Sequence, residues 1–275
     1  NVIVGASAGV ALAGGANNVA VGFEALSTED ADGNNVALGY RALKTQNAGA
    51  DAYNIAIGSD AGLSFTTGIR NVIIGGIAGD ALTDADFNIG IGYQSLTGDT
   101  KGSKSTAVGY RTLANQNFST STDSHNTAIG NDAGLNVTTG IQNTFVGSLA
   151  ADALTDADKN VAVGYQALSS DTLGSNSTAI GRGALFAQNF TTATDSYNTA
   201  VGADAGNQIT TGTQNTFIGA LSGDAVTDAD WNVALGYRSL SSNTVGSKSV
   251  ALGAYALDVQ NPATATDMFN VAVGH

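Results

Sequence analysis

A short apolar phrase recurs sixteen times along the chain. It reads Asn or Ser, then Val, Ile or Thr, then a mostly small residue, then Val, Ile or Leu, then Gly, as in Asn54 to Gly58. Because successive side chains of a strand point to opposite faces, positions 2 and 4 share one face and position 3 takes the other. Position 3 is Ala in eleven copies, whereas positions 2 and 4 are mostly β-branched, as strands favour. The phrase therefore predicts one firm strand, ended by a tight corner at a Gly that needs positive φ or close backbone approach.

The spacing of the phrase predicts the architecture. Most copies follow one another at 17 residues, and longer steps of 21 residues complete a super-repeat of 72 residues with four unit types. A unit of this length is too short for a strand plus a crossover helix, and helical spacing of apolar residues is absent. In repeat arrays each unit contacts only its neighbours. We therefore predict an all-β parallel β-solenoid or β-roll of about 16 coils, one repeat array over residues 1–275, with an Asn ladder bonding the coils above and below.

Composition and charge agree with this fold and exclude some partners. Of the 23 acidic residues 21 are Asp, which favours turns over helix interiors. The net charge of −13 argues against nucleic acid as a partner, because phosphate binding needs clustered Lys and Arg. Without Cys, the chain has no disulfide, thiol nucleophile or Cys-based zinc site.

The ends and the hydropathy of the chain also guide the interpretation. No apolar run is long enough for a transmembrane helix, so we expect no membrane insertion by this segment. The chain begins on a motif Asn and ends one residue past a motif Gly, and we expect it to be a segment of a longer fibrous protein.

Two stretches carry a resemblance to a known family. Residues 160–168 read Asn-Val-Ala-Val-Gly-Tyr-Gln-Ala-Leu, and residues 126–134 read Asn-Thr-Ala-Ile-Gly-Asn-Asp-Ala-Gly. With its small residue three positions after Gly, the phrase resembles the head repeats of trimeric autotransporter adhesins, and similar repeats occur in phage tail-fibre and bacterial surface-fibre proteins. The resemblance covers essentially the whole chain, although these units are longer than the usual head repeat. It implies a left-handed parallel β-roll that forms a homotrimer, as the head or shaft of an extracellular fibre on a cell surface or a virion.

Small residues bear on assembly independently of the resemblance. Each unit has a second small residue three positions after its Gly, such as Ala25 or Ser95. A repeated face of Ala, Ser and Gly would let one roll pack closely against another. The alternative is that these residues fill a narrow roll interior.

The function that these observations favour is a structural or adhesive fibre segment that mediates attachment to cells or surfaces. The alternatives are a purely structural extracellular filament and a polysaccharide-degrading rod of the tailspike kind. Glycan hydrolysis needs two differently tuned carboxyl groups in a cleft, which identical turns do not create, and no nucleophile motif is present. We therefore expect no enzymatic activity. Paired Thr residues recur only once per four units, which is too sparse for an ice-binding surface.

Insertions of four residues in the fourth unit type predict surface loops. Aromatic side chains in or beside these loops are candidate contacts for a cell-surface glycan or protein receptor. The alternative is that the rings staple their own loops onto the roll. The candidates are Phe118, His125, Phe190, Tyr197 and Phe269, and Trp231 lies in a similar place.

The Asp-rich turns of the second unit type are candidate Ca²⁺ sites, because clustered carboxylates are the hard oxygen ligands that this ion prefers. The alternative is that each Asp accepts hydrogen bonds from the N–H groups of its own turn. No other cofactor is expected. The candidate ligands are Asp80, Asp84, Asp86, Asp152, Asp156, Asp158, Asp224, Asp228 and Asp230.

Overall fold

A computed structural model of the chain describes residues 1–31 and 33–275. It divides the chain into two compact units, Asn1–Ile141 and Gln142–His275. Each unit is a parallel β-solenoid of eight coils, and no helix occurs in the part of the chain that is described. None of the described residues forms a helix that could cross a membrane. The prediction of an all-β parallel β-solenoid of about 16 coils is therefore confirmed.

In the first unit, every coil contributes one three-residue strand to a parallel sheet. Equivalent residues pair directly, for example Val72 with Ile89 and Ile74 with Ile91. A two-residue parallel pair, β7 of the third coil type with β9 of the fourth, adds a short second sheet beside the insertion. The strands are β1 (Val2–Val4), β2 (Val19–Val21), β3 (Val36–Leu38), β4 (Ile55–Ile57), β5 (Val72–Ile74), β6 (Ile89–Ile91), β7 (Gly102–Ser103), β8 (Thr106–Val108), β9 (Thr122–Asp123) and β10 (Thr127–Ile129).

The second unit repeats this arrangement with two short pairs, β13 with β15 and β19 with β21. Its main strands pair in the same register, as Thr199 does with Thr216. The strands are β11 (Thr144–Val146), β12 (Val161–Val163), β13 (Gly174–Ser175), β14 (Thr178–Ile180), β15 (Thr194–Asp195), β16 (Thr199–Val201), β17 (Thr216–Ile218), β18 (Val233–Leu235), β19 (Gly246–Ser247), β20 (Val250–Leu252), β21 (Thr266–Asp267) and β22 (Val271–Val273).

Small residues fill the interior of each roll. Position 3 of the phrase and the small residue three positions after Gly are both buried, as Ala20 and Ala25 illustrate. Positions 2 and 4 point outward and are half-buried or exposed, as in β4 and β6. The expectation that small residues line an outer packing face is therefore wrong, because one Ala from the strand and one small residue from the turn together occupy the narrow interior.

Side-chain sizes compensate one another inside the roll, which explains the alternation between coil types. The residue four positions after the motif Gly is Leu in the third and fourth types but Gly or Ala in the other two. A Cβ on Gly62 would lie 2.6 Å from the ring of Phe65, and a Cβ on Gly223 would lie 2.6 Å from the ring of Phe217. Both Phe side chains are fully buried. A large interior ring is thus accompanied by a small residue, Gly in these two coils and Ala151 at the equivalent position in the coil of the buried Phe145.

The predicted Asn ladder is present. The side-chain oxygen of a motif Asn accepts a hydrogen bond from the next coil, and its side-chain nitrogen donates within its own coil. In the first unit Oδ1 of Asn54 accepts the N–H of Asn71 in the next coil at 2.8 Å. Nδ2 of Asn54 instead donates to the carbonyl of Gly68 in its own coil at 2.7 Å. The same geometry recurs in the second unit, where Asn215 accepts the N–H of Asn232 at 3.0 Å. Asn54 therefore links one neighbouring coil and closes its own, and Asn215 closes its coil in the same way through the carbonyl of Ala229.

Candidate functional site: exposed aromatic columns

The residue directly before each motif Asn forms an outward column, which we call the leading column. Its backbone is left-handed, with φ between +49° and +61° at the ten positions given below. Asn tolerates this conformation best among non-glycine residues, and Asn17, Asn34 and Asn176 stand at equivalent positions. In the first unit the column continues as Tyr53, Arg70, Phe87, Lys104 and His125, and in the second as Tyr197, Gln214, Trp231, Lys248 and Phe269.

The column of the second unit contains a cation between two rings. The Lys248 ammonium lies 5.1 Å from the Trp231 ring centroid and 5.3 Å from that of Phe269. Its Nζ is also 2.5 Å from Oδ2 of Asp267 on β21. Such a cation–π pair contributes about 0.5–1 kcal/mol at an exposed site. The three side chains therefore hold one another in place while Trp231 stays 51% exposed.

A surface cavity of about 170 Å³ opens beside this cluster. Trp231, Lys248, Asp230, Asp267 and Ser247 line it. Oδ1 of Asp230 accepts the N–H of Thr213 at 2.7 Å, and Oγ of Ser247 accepts the N–H of Asp230 at 3.0 Å. The cavity thus combines an indole wall with carboxylate, hydroxyl and ammonium groups.

The first unit contains a second version of the cluster. The Arg70 guanidinium lies 5.4 Å from the centroid of the Phe87 ring. Nζ of Lys104 is 2.5 Å from Oδ2 of Asp123 on β9, as Lys248 is from Asp267 in the other unit. The recurrence shows that the arrangement belongs to the coil geometry and not to one irregular loop.

A second aromatic column follows the motif Gly, and we call it the trailing column. Phe23 and Tyr40 stack at 5.6 Å with their ring planes 12° apart. The Arg41 guanidinium lies 4.8 Å from the Tyr40 ring centroid, and its Nε donates to Asp60 at 2.7 Å. The hydrogen bond to Asp60 raises the pKa of Arg41 above its ordinary value. The trailing rings therefore pack on one another, in contrast to the leading rings, which alternate with polar residues.

The five predicted loop contacts fall into two groups. His125, Tyr197 and Phe269 are exposed in the leading column. Phe118 and Phe190 are each only 5% exposed. For these two residues we correct the expectation of a receptor contact, because their rings are packed under the insertion and support the stapling alternative.

A buried carboxylate that the sequence did not indicate organises two of the insertions. Oδ1 of Asp171 accepts the N–H groups of Gly174 at 3.0 Å and of Phe190 at 3.1 Å. Its Oδ2 accepts Nε2 of Gln188 at 2.5 Å, and Gln188 also bonds Asn198 of the ladder. Asp99 and Gln116 make the equivalent contacts in the first unit. The sequence does contain a signal for this pair. At one interior position, coils of the third and fourth types have polar residues where coils of the first and second types have apolar ones.

The Asp-rich turns do not gather into ligand sets. Among the described residues no group of three or more acidic or His side chains lies close enough to hold one metal ion. Oδ1 of Asp80 accepts the Thr97 hydroxyl at 2.6 Å, and Oδ1 of Asp86 accepts the N–H of Ile69 at 2.8 Å. These carboxylates therefore accept hydrogen bonds from the neighbouring coils, Thr97 in the next coil and Ile69 in the previous one, so they link coils instead of capping their own turns.

Burial changes the acidity of two of these carboxyl groups. Desolvation raises the pKa of Asp80, although the hydrogen bond from Thr97 opposes this effect. Desolvation likewise raises the pKa of Asp224; the N–H of its own backbone and the charge of Arg238 oppose the shift, and the charges of Asp258 and Asp204 add to it. Both groups therefore resist ionisation in the folded chain.

Comparison with known proteins leaves the family open. No protein-family model and no curated protein matches this sequence. Functional interpretation therefore rests on the side chains that the two units present to solvent: the strand face, the leading column and the trailing column.

Proposed function

We propose that this chain is a segment of a homotrimeric extracellular fibre, the head or shaft of a surface adhesin or a tail fibre, which mediates attachment to cells or surfaces. The observation that carries the proposal is the apolar outer face of the sheet in each unit. Large aliphatic side chains at positions 2 and 4 point away from the roll and remain accessible. In the first unit Leu38, Ile89 and Ile129 are between 38% and 43% exposed, and in the second Ile180, Ile218 and Leu235 are between 37% and 48% exposed.

An apolar face that stays exposed on several strands of each unit is typical of an interaction surface. The best partner for it is another copy of the same chain. Because every copy has the same rise per coil, the aliphatic columns of parallel copies stay in register along the whole sheet. The resemblance to trimeric adhesin head repeats supports three copies as the stoichiometry.

Sedimentation velocity tests the assembly. We expect a particle of three times the 27.4 kDa mass of the chain. Ile180→Asp combined with Ile218→Asp should yield monomers, because two carboxylates per copy would be desolvated at the interface. Thr192→Asp, in an exposed insertion loop, is the matched control and should leave the trimer intact.

Circular dichroism shows whether a variant of Ile180 and Ile218 that no longer assembles is still folded. Ile180→Thr with Ile218→Thr is the milder variant, since Thr suits a strand but removes apolar surface. A wild-type chain that sediments as a monomer at all concentrations would contradict the trimer.

Binding of the purified trimer to cells or coated surfaces tests attachment. Assembly without any binding would favour the purely structural filament. The proposed role is not enzymatic, so release of sugar from a surface polysaccharide by the purified chain would contradict it.

A further inference from the structure

We propose that the leading column of each unit is a binding track for an extended, uncharged polysaccharide of equatorially linked six-membered sugar rings. The inference rests on the proposed attachment function and names the chemical class of its target. The track is clearest in the second unit, where Tyr197, Trp231 and Phe269 carry the rings.

The spacing of the rings points to this ligand. Rings occupy alternate coils, with Gln214 and Lys248 between them. Strands of neighbouring coils are about 4.8 Å apart, so successive rings are separated by roughly 10 Å along the column. Two sugar rings of an extended, equatorially linked chain span the same distance. Every second sugar can therefore lie against an exposed ring, beside the Lys248 ammonium that lies between Trp231 and Phe269.

Backbone conformation argues that the rings are not there for the fold. A bulky residue is an outlier in the left-handed region, yet Trp231 has φ +59° and Tyr197 has φ +49°. Asn176 occupies the equivalent position in another coil and suits that backbone better. Tyr197 and Trp231 are 54% and 51% exposed, so they gain little packing in return. Conformational cost without burial is typical of a functional position.

Polar groups between the rings suit the hydroxyls of a sugar. The cavity beside Trp231 presents Asp230, Asp267, Ser247 and Lys248. Ligand sites of this kind combine an apolar wall with a few placed polar groups that fix orientation. Tyr197 has a comparable neighbour, because its hydroxyl donates to Oδ2 of Asp195 at 3.3 Å.

Charge selects an uncharged chain. Each of the three short strands beside an insertion ends in a carboxylate next to the column: Asp123, Asp195 and Asp267. The chain as a whole carries −13. Lys104 and Lys248 of the column pair with Asp123 and Asp267, so the column itself offers little net charge to an anionic ligand. The net charge of the whole chain repels an anionic polysaccharide, whereas neutral hydroxyls can donate to the carboxylates.

Titration calorimetry with defined oligosaccharides tests the track. Cellohexaose and chitohexaose are the probes, and maltohexaose, whose chain curves, is the ligand control. We expect affinity for the first two to rise with chain length from disaccharide to hexasaccharide, and to exceed that for maltohexaose. Trp231→Asn should lower the affinity about tenfold, the loss of one stacking platform.

Asn is the replacement because the backbone accepts it, so the melting temperature of Trp231→Asn should not fall. Tyr165→Ala, an equally exposed ring in the trailing column, is the matched control and should bind like the wild type. Affinity that is independent of chain length, or unchanged in Trp231→Asn, would overturn the proposal. A smaller sedimenting particle for Trp231→Asn would also overturn it, since the column would then be covered by another copy of the chain.

Cell attachment by the same proteins distinguishes this inference from the proposed function. A wild-type trimer that attaches to cells but binds no oligosaccharide refutes the track and leaves the adhesive fibre standing. A trimer that does neither refutes both the track and attachment.

Discussion

At Gly75 the corner of a coil leaves no room for a side chain. The backbone has φ +143°, and a Cβ would lie 2.3 Å from the carbonyl oxygen of Gly92 in the next coil. The obstacle is backbone, which cannot rotate away as a side chain would. We therefore expect Gly75→Ala to destabilise the chain by more than about 3 kcal/mol, through combined strain and steric overlap.

The neighbouring Gly76 provides the control for this prediction. A Cβ there would meet only the ring of Tyr93, at an ordinary 3.4 Å. Gly76→Ala should change the free energy of unfolding by no more than about 0.5 kcal/mol. Thermal and urea unfolding of the two variants checks the difference. If Gly75→Ala and Gly76→Ala change the free energy of unfolding equally, neighbouring coils are less closely packed at Gly75 than the 2.3 Å approach to Gly92 indicates.

The raised pKa of Asp224 makes stability depend on pH in a defined direction. A carboxyl group whose pKa is higher in the folded state contributes stability below its ordinary value of 3.8, and that contribution is lost as pH rises through the folded value. Asp224→Asn cannot ionise and escapes this loss. We therefore expect its melting temperature, relative to the wild type, to increase from acid to neutral pH.

Asp228→Asn makes the same substitution at an exposed carboxylate of the same turn and is the matched control variant. If the advantage of Asp224→Asn were instead largest below pH 3.8, desolvation would not be the cause of the shift.

At the scale of elements, a buried Asp–Gln pair holds two of the insertions on their coils. At the last insertion Asn243 stands in place of Asp, and its Oδ1 still accepts the N–H of Gly246 at 3.1 Å. The fold therefore tolerates an amide at this position. We expect Asp171→Asn to cost only about 1 kcal/mol, because Oδ1 can keep its backbone donors.

Removal of the acceptor should have a larger effect. Asp171→Leu leaves the N–H of Phe190 and the amide of Gln188 without their acceptor in a dry interior, at about 1–3 kcal/mol for each group. The melting temperatures of the two variants should differ accordingly, and hydrogen exchange should quicken around Phe190 in Asp171→Leu alone. If Asp171→Asn and Asp171→Leu have similar melting temperatures, the insertion is held on the roll by packing of the Phe190 ring and not by the carboxylate.

The sequence predicts the elements better than it predicts which way they face. The constant spacing of the phrase defines the coils, since a strand of this length cannot be placed in any other regular array. The direction of the strand faces stayed open because Ala at position 3 is compatible with both a narrow interior and a packed exterior. Phe118 and Phe190 were misjudged for a different reason. Their burial depends on Asp99 and Asp171, which lie 19 residues earlier and meet them only in the next coil.

At the scale of the whole molecule, apolar and electrostatic contributions to assembly oppose each other. The outward aliphatic columns favour association of copies by removing apolar surface from water. Each copy also carries a net charge of −13, so three copies repel one another at low ionic strength. The eight ion pairs found among the described residues leave most of the acidic charge uncompensated.

The balance predicts that salt strengthens the assembly. The screening length falls from about 30 Å at 0.01 M salt to about 8 Å at 0.15 M. Repulsion between copies therefore weakens over this range while the apolar contact does not. We expect the trimer fraction in sedimentation velocity to rise with sodium chloride at fixed protein concentration. Dissociation on adding salt would mean that ion pairs, and not the aliphatic face, hold the copies together, and the interface would then have to be sought among the Lys and Arg side chains of the leading and trailing columns.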